Sequence, residues 1–219
     1  MKTTKNITKQ EILTAYMNHV LDFDNQPNSI HAFAKKLGIE EKDFYQHYTS
    51  FDQIASDVYV TFYEEAIKLM MSEISYNELD SRNELLAFYF TFFELLTNNR
   101  SYVLSTLNKP TIDLKRFKLF IPLRNQFKGF IKSLNIETID LKQEKLNTFK
   151  EKSVEEIAWT QLLFTIKFWM EDTSPAFEKT DLFIEKSVNA CFDLIDYTPL
   201  ESIIDFGKFF FKEKIKPQF

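Results

Sequence analysis

At 219 residues with 44% hydrophobic side chains, the chain is long enough for a small module and a larger one, each with its own core. Its 27 basic and 32 acidic residues leave a net charge of −5, which argues against a uniformly basic nucleic-acid-binding surface. The single cysteine, Cys191, excludes a disulfide within the chain and a cysteine-based zinc cluster, and it suits a reducing cytoplasm.

Only three glycines are present and apolar residues recur at threes and fours, so an all-α fold is expected. Met1 to Lys5 leads into polar sequence and no apolar run reaches membrane-spanning length, so a cytoplasmic protein without stable membrane insertion is expected. Residues 1 to 7 form a lysine-bearing arm that either follows a DNA backbone or has no binding role. Thr8 to Phe23 reads as a first helix, with Thr8 and Glu11 as a capping box and Ile12, Ala15, Tyr16, His19, Val20 and Phe23 on one face. No second His or Cys stands at ligand spacing from His19, so it is expected as a hydrogen-bonded core residue, not a metal ligand. No metal site is expected.

Ser29 to Tyr48 reads as two short helices joined by a tight turn. Ser29 is a plausible N-cap for a helix with Ile30, Phe33 and Ala34 on one side. Gly38 supplies the turn, Ile39 plugs the corner, and Glu40 opens a second helix bearing Phe44 and Tyr45. This is a helix-turn-helix pattern. The second helix would enter a DNA major groove, presenting Glu41, Lys42, Asp43 and Gln46 to base edges. Lys42 and Gln46 suit base reading. Glu41 and Asp43 suit a helix N-terminus, but they repel phosphates unless they accept a bond from a cytosine amino group. Residues 1 to 57 hold six lysines and no arginine against eight acids, so any binding rests on where those lysines lie.

From Ile12 to Ile54 the chain resembles the N-terminal domain of the tetracycline-repressor (TetR) family of bacterial regulators. Ala15 and Phe23 match the first helix, Ser29 the start of the second, Ala34 and Leu37-Gly38-Ile39 the turn. Phe44-Tyr45-x-His47-Tyr48 matches the family's Leu-Tyr-x-His-Phe, and Ser50 and Ile54 continue it. The resemblance implies that Ser29, Tyr45 and His47 hydrogen-bond phosphates, fixing register without reading sequence. Phe51 departs from the pattern, standing where the family commonly places a phosphate-contacting lysine. Lys35 and Lys36 are the candidates to compensate.

A long helix is expected from Ser50 to about Ser75; in the family such a helix moves when ligand binds and resets the separation of two reading heads. Ser81-Arg-Asn-Glu is a capping box that opens a helix through Phe88, Tyr89, Phe90, Phe92 and Phe93, apolar nearly all round. Its aromatics either fill space or line a cavity. Ser101 caps a short helix to Leu107. Ile112 to about Leu134 carries Phe117, Phe120, Phe127 and Phe130 at helical spacing, with a kink or break expected at Pro122. Lys115, Arg116, Lys118, Arg124, Lys128 and Lys132 between them form either a cationic face for an acidic head group or a solvated surface. Residues 135 to 152 read as a polar connection with at most a short helix.

Ser153-Val-Glu-Glu is a third capping box, starting a helix with Trp159, Phe164, Phe168 and Trp169. Asp172-Thr-Ser-Pro175 stops it, and Thr180 caps a helix through Ile184, Val188, Cys191 and Phe192. The resemblance implies that these two helices pair with their copies in a four-helix dimer interface, with Phe168, Trp169, Ile184, Val188 and Phe192 as contacts. Residues from Thr198 onward read as a basic amphipathic helix carrying Ile203, Phe206, Phe209 and Phe210.

No H-E-x-x-H, glycine-rich phosphate loop or G-x-S-x-G is present, so no catalytic residues, cofactor or enzymatic activity are expected. The expectation is a three-helix helix-turn-helix domain at 1–50 and a helical-bundle ligand-binding and dimerisation domain at 51–219. Phe88, Tyr89, Phe92, Phe120, Phe127, Trp159 and Phe164 are the candidate ligand-binding residues. The expected function is a homodimeric, ligand-responsive DNA-binding regulator, a repressor controlled by an apolar or aromatic effector, flat or acyl-like with an acidic end. The alternative is a TetR-like ligand-binding or protein-interaction module that has lost sequence-specific DNA binding.

Overall fold

The computed structural model describes residues 7–73, 79–107, 118–136 and 144–197, and the described residues contain helices and no strand. The helices are α1 (Lys9–Phe23), α2 (Ile30–Leu37), α3 (Glu41–Tyr45), α4 (Phe51–Ser72), α5 (Ser81–Asn98), α6 (Arg100–Leu107), α7 (Ile121–Ser133), α8 (Glu144–Glu171) and α9 (Glu178–Tyr197). A 3₁₀ turn at Pro175–Phe177 precedes α9. The all-α expectation holds. The basic amphipathic helix expected after Thr198 and the arm at 1 to 6 lie outside the described residues.

Contacts divide the chain into two compact units: the described parts of Met1–Met71 with Thr91–Gln126, and those of Ser72–Phe90 with Phe127–Phe219. The division falls inside α5 and inside α7.

In the first unit the local signals act as their chemistry dictates. Thr8 Oγ1 accepts from the Glu11 N–H at 3.2 Å while the Glu11 carboxylate accepts from the Thr8 N–H at 2.8 Å, closing the capping box. Ser29 Oγ accepts from the Ala32 N–H at 3.2 Å. Gly38 ends α2 at φ 73, a left-handed conformation that costs glycine little, and Ile39 behind it is buried. Ser50 Oγ accepts from the Gln53 N–H, starting α4 one residue later. The core of α1 to α4 is largely aromatic. Phe33 meets Phe44 edge-on at 6.2 Å and Phe51 at 5.5 Å, and Tyr16 stacks on Phe51 at 5.9 Å.

Two expectations about α1 are corrected. Phe23 is 61% exposed, whereas Leu13 is buried with Ile12, Tyr16 and Val20. His19 packs 4.6 Å from Phe23, but its buried Nδ1 has no hydrogen-bond partner among the described residues. Burial first, and the nearby Lys36 charge second, push its pKa down, which favours neutral imidazole.

In the second unit α8 begins at Glu144, ahead of the expected start at Ser153. Residues 144 to 171 hold neither glycine nor proline, so the capping-box pattern at 153 lies inside a helix that propagates through it. Pro122 is the second residue of α7, where its missing N–H breaks no intrahelical bond. The α8–α9 corner is closed by Asp172, 6% exposed, whose two oxygens accept from Ser174 N (2.8 Å), Ser174 Oγ (2.7 Å), Thr180 N (2.9 Å) and Thr180 Oγ1 (2.7 Å). Burial works to raise this carboxyl, but those four donors overcome it and hold its pKa at about 2.

Candidate nucleic-acid interface and aromatic body

The helix-turn-helix is built by α2, the Gly38 turn and α3, and the acids that burden its sequence are engaged within it. Asp43 is only 9% exposed, and its carboxylate accepts from the Glu40 N–H at 3.0 Å, serving as a cap. Glu41 Oε1 lies 2.8 Å from His31 Nδ1 on α2. Glu40 lies 2.8 Å from Lys42, and that hydrogen bond, then its charge, raises the Lys42 ammonium above its ordinary pKa. Lys42 and Tyr45 are exposed on α3, with Tyr45 at 50%, and Gln46 is exposed at its C-cap. Ser29 is exposed at the N-cap of α2 and Lys36 on its last turn, the Lys36 ammonium 5.3 Å from the Phe23 ring centre. His47 Nε2 donates to the Ile7 carbonyl at 3.0 Å, so its ring tethers the chain just before α1.

Phe51 is 9% exposed and lies against Tyr16, Phe33 and Phe44. Its side chain completes the head's core. Sequence reasoning recognised the lost lysine but not this packing role. It also missed His31 and Asp57. Asp57 Oδ2 accepts from the Tyr48 hydroxyl at 2.6 Å and pairs with Lys9 at 2.8 Å, tying α1, α4 and the end of the motif together. A groove of about 390 Å³ runs between α1 and α4, lined by Lys9, Gln10, Asp57, Glu64, Glu65 and Lys68 among others. Its charged lining does not suit an apolar effector.

Also in the first unit, the buried Tyr59 hydroxyl pairs with Thr106 Oγ1 at 2.7 Å, and Tyr59 packs 5.0 Å from Phe120. Tyr102 is 1% exposed, and its hydroxyl has no hydrogen-bond partner among the described residues. Phe92, fully buried, meets Phe93 edge-on at 5.9 Å.

The remaining candidate ligand-binding residues lie in the second unit. Phe88, Tyr89, Phe127 and Trp159 form one aromatic cluster: Phe88 to Phe127 is 5.5 Å, Tyr89 to Phe127 6.3 Å and Phe127 to Trp159 6.3 Å. Phe164 is 61% exposed and stands on the surface of α8. A polar chain not anticipated from the sequence joins this cluster. The Tyr89 hydroxyl donates to Gln161 Oε1, and Gln161 Nε2 donates to Ser187 Oγ at 2.8 Å and Thr165 Oγ1 at 3.2 Å. Burial, with Cys191 nearby, holds the Tyr89 pKa well above its ordinary value, so the hydroxyl stays a neutral donor. The signal is present: Gln161 and Thr165 are polar residues four apart in the largely apolar stretch from Ile157 to Met170.

Lys128, one of the residues proposed for an acidic head group, lies 3.1 Å from Glu155 and 2.9 Å from Glu156. Of the candidate pairing residues, Trp169 and Ile184 are fully buried within the unit, Val188 is 1% and Phe192 7% exposed. Phe168 stacks on Phe183 at 4.5 Å and is half-buried. Leu182, 48% exposed, joins Phe164 as apolar surface on α8 and α9.

None of the described helices is long and apolar enough to cross a membrane, and no cluster of three potential metal ligands occurs among the described residues. Comparison with curated proteins finds no match. A family model described as "Tetracyclin repressor-like, C-terminal domain" matches residues 84–210. That match spans more than half of the chain, which therefore belongs to the TetR family, whose members are in general ligand-responsive transcriptional regulators.

Proposed function

We propose that this protein is a homodimeric repressor that binds an operator through the helix-turn-helix at residues 1–50 and releases it when an apolar or aromatic small molecule enters the body at 51–219. The observation that carries the DNA-binding reading is the fate of the acids on α3. Asp43 is turned into a cap and Glu41 is paired with His31, while Lys42, Tyr45 and Gln46 remain exposed. Gln46 is the reader of an adenine edge and Lys42 of a guanine edge. Ser29, Lys36 and Tyr45 meet phosphates, and the His47 ring holds the chain entering α1 against the motif. The effector site draws on Phe88, Tyr89, Phe127 and Trp159 of the second unit. Subunit pairing uses the outer faces of α8 and α9, where Phe164, Phe168 and Leu182 supply apolar surface around the buried Trp169, Ile184, Val188 and Phe192. The protein acts in the cytoplasm and has no enzymatic role.

The burial of Phe51 supports a second reading, a ligand-binding module without sequence-specific DNA binding, because one phosphate anchor is absent. Retardation of DNA fragments from around the protein's own gene, at low and moderate salt, separates the two. The repressor reading requires a complex that survives unrelated competitor DNA and weakens with salt. No retardation at either salt leaves only the second reading.

A further inference from the structure

We infer that the effector is an uncharged amphiphile, an aromatic or alkyl compound with one hydroxyl, and that Tyr89 and Gln161 read this hydroxyl. The inference rests on the effector reading of the body and narrows its ligand class. Tyr89 is fully buried beside Phe88 and Phe127, and Thr165 is fully buried too, so their polar atoms are held at a substantial desolvation cost. The group they form is uncharged: a phenol, a carboxamide and the hydroxyls of Thr165 and Ser187.

Among the described residues, no cation of the same unit is shown paired with this group. Lys128 is held by Glu155 and Glu156, and Arg82 by Asp193 at 3.0 Å and Asn189 at 3.3 Å. Lys132, Lys167, Lys179 and Lys186 are exposed. A carboxylate brought against Tyr89 would lose its hydration without gaining an opposite charge from any of these. A neutral oxygen meets a better match. Gln161 Nε2 is spent on Ser187 and Thr165, but its Oε1 can accept from a ligand hydroxyl while the Tyr89 hydroxyl donates to that ligand in place of Gln161. With a ligand hydroxyl, which accepts from Tyr89 and donates to Gln161 Oε1, the exchange leaves every partner satisfied, while the aromatic rings take the apolar body of the ligand. The acidic end expected from composition is thereby replaced by a neutral one.

The test is titration calorimetry of the full chain at neutral pH with two matched pairs, 1-decanol against decanoate and 4-ethylphenol against 4-ethylbenzoate. The neutral member of each pair should bind at least about tenfold more tightly than its acid, and Tyr89→Phe should erase most of that preference. Gln161→Leu serves as the second variant, with helicity and melting checked for both. Acids binding as tightly as their neutral partners would overturn the inference while leaving the body a ligand site. Neutral probes binding both folded variants as they bind the parent would remove Tyr89 and Gln161 from recognition. Binding of no probe would sink the effector reading itself, and the inference with it.

Discussion

The head and the α8–α9 body handle polar groups in opposite ways. In the head, charge is abundant and local: Asp43 caps α3, Glu41 meets His31, and Asp57 joins Tyr48 to Lys9. In the body, the cluster around Phe127 is served by an uncharged chain of hydroxyl and amide groups, and its buried carboxylate, Asp172, closes a helix corner. Formal charge is therefore a poor guide to either surface. The acids of the head serve partly as scaffold, and Lys128, one candidate for an acidic ligand, is already paired with Glu155 and Glu156.

The largest effect should come from the head's aromatic core. Phe44 is fully buried and touches Phe33, Tyr48 and Phe51, so Phe44→Ala should cost about 3–5 kcal/mol in urea unfolding. Phe51→Lys sharpens the same point. If Phe51 is core, restoring the family's lysine should destabilise the head by about 2 kcal/mol or more; an unchanged stability with tighter DNA binding would show the ring to be dispensable.

The body's corner comes next. Asp172→Ala strands the Ser174 and Thr180 donors and should cost about 1–3 kcal/mol. Because folding lowers this carboxyl from its ordinary 3.8 to about 2, its stabilisation is complete above 3.8 and disappears as pH falls through about 2. The stability gap between parent and variant should therefore be constant near neutrality and close below pH 3.8. A gap that persists at pH 2 would assign the effect to packing alone.

At the C-cap of α3, Gln46→Ala should leave stability unchanged and reduce operator affinity roughly tenfold, with relaxed preference at one base pair. The smallest effect is expected at Tyr102, whose buried hydroxyl has no partner among the described residues. Tyr102→Phe removes a desolvated group and should raise stability by about 1 kcal/mol, measured by chemical unfolding. A loss of stability would mean that the hydroxyl is satisfied in solution.

How much of this was legible beforehand follows the range of each interaction. Thr8 with Glu11, Ser29 with Ala32, and Gly38 are contacts within a few residues, and local chemistry alone announces them. The helix-turn-helix was readable for the same reason. The start of α8 was not, because Ser153-Val-Glu-Glu has the same composition at a helix start as inside a helix, and only the absence of a breaker before it tells otherwise. His31 with Glu41 spans ten residues, and Tyr89 with Gln161 spans 72, so neither pair shares a local signature. Composition groups Phe164 with the cluster, but α8 turns it outward; in an unbroken apolar run such as Leu162-Leu163-Phe164 the inward face cannot be told without its neighbours.

The central claim is that α3 reads DNA as one of a symmetric pair, and selection from a random duplex pool by the full-length protein tests it most directly. The account predicts enrichment of an inverted repeat, its half-sites about one helical turn apart or a multiple of that, with the enrichment reduced by Gln46→Ala. A recovered pool with no enriched sequence, from protein whose helicity and melting are intact, would contradict it.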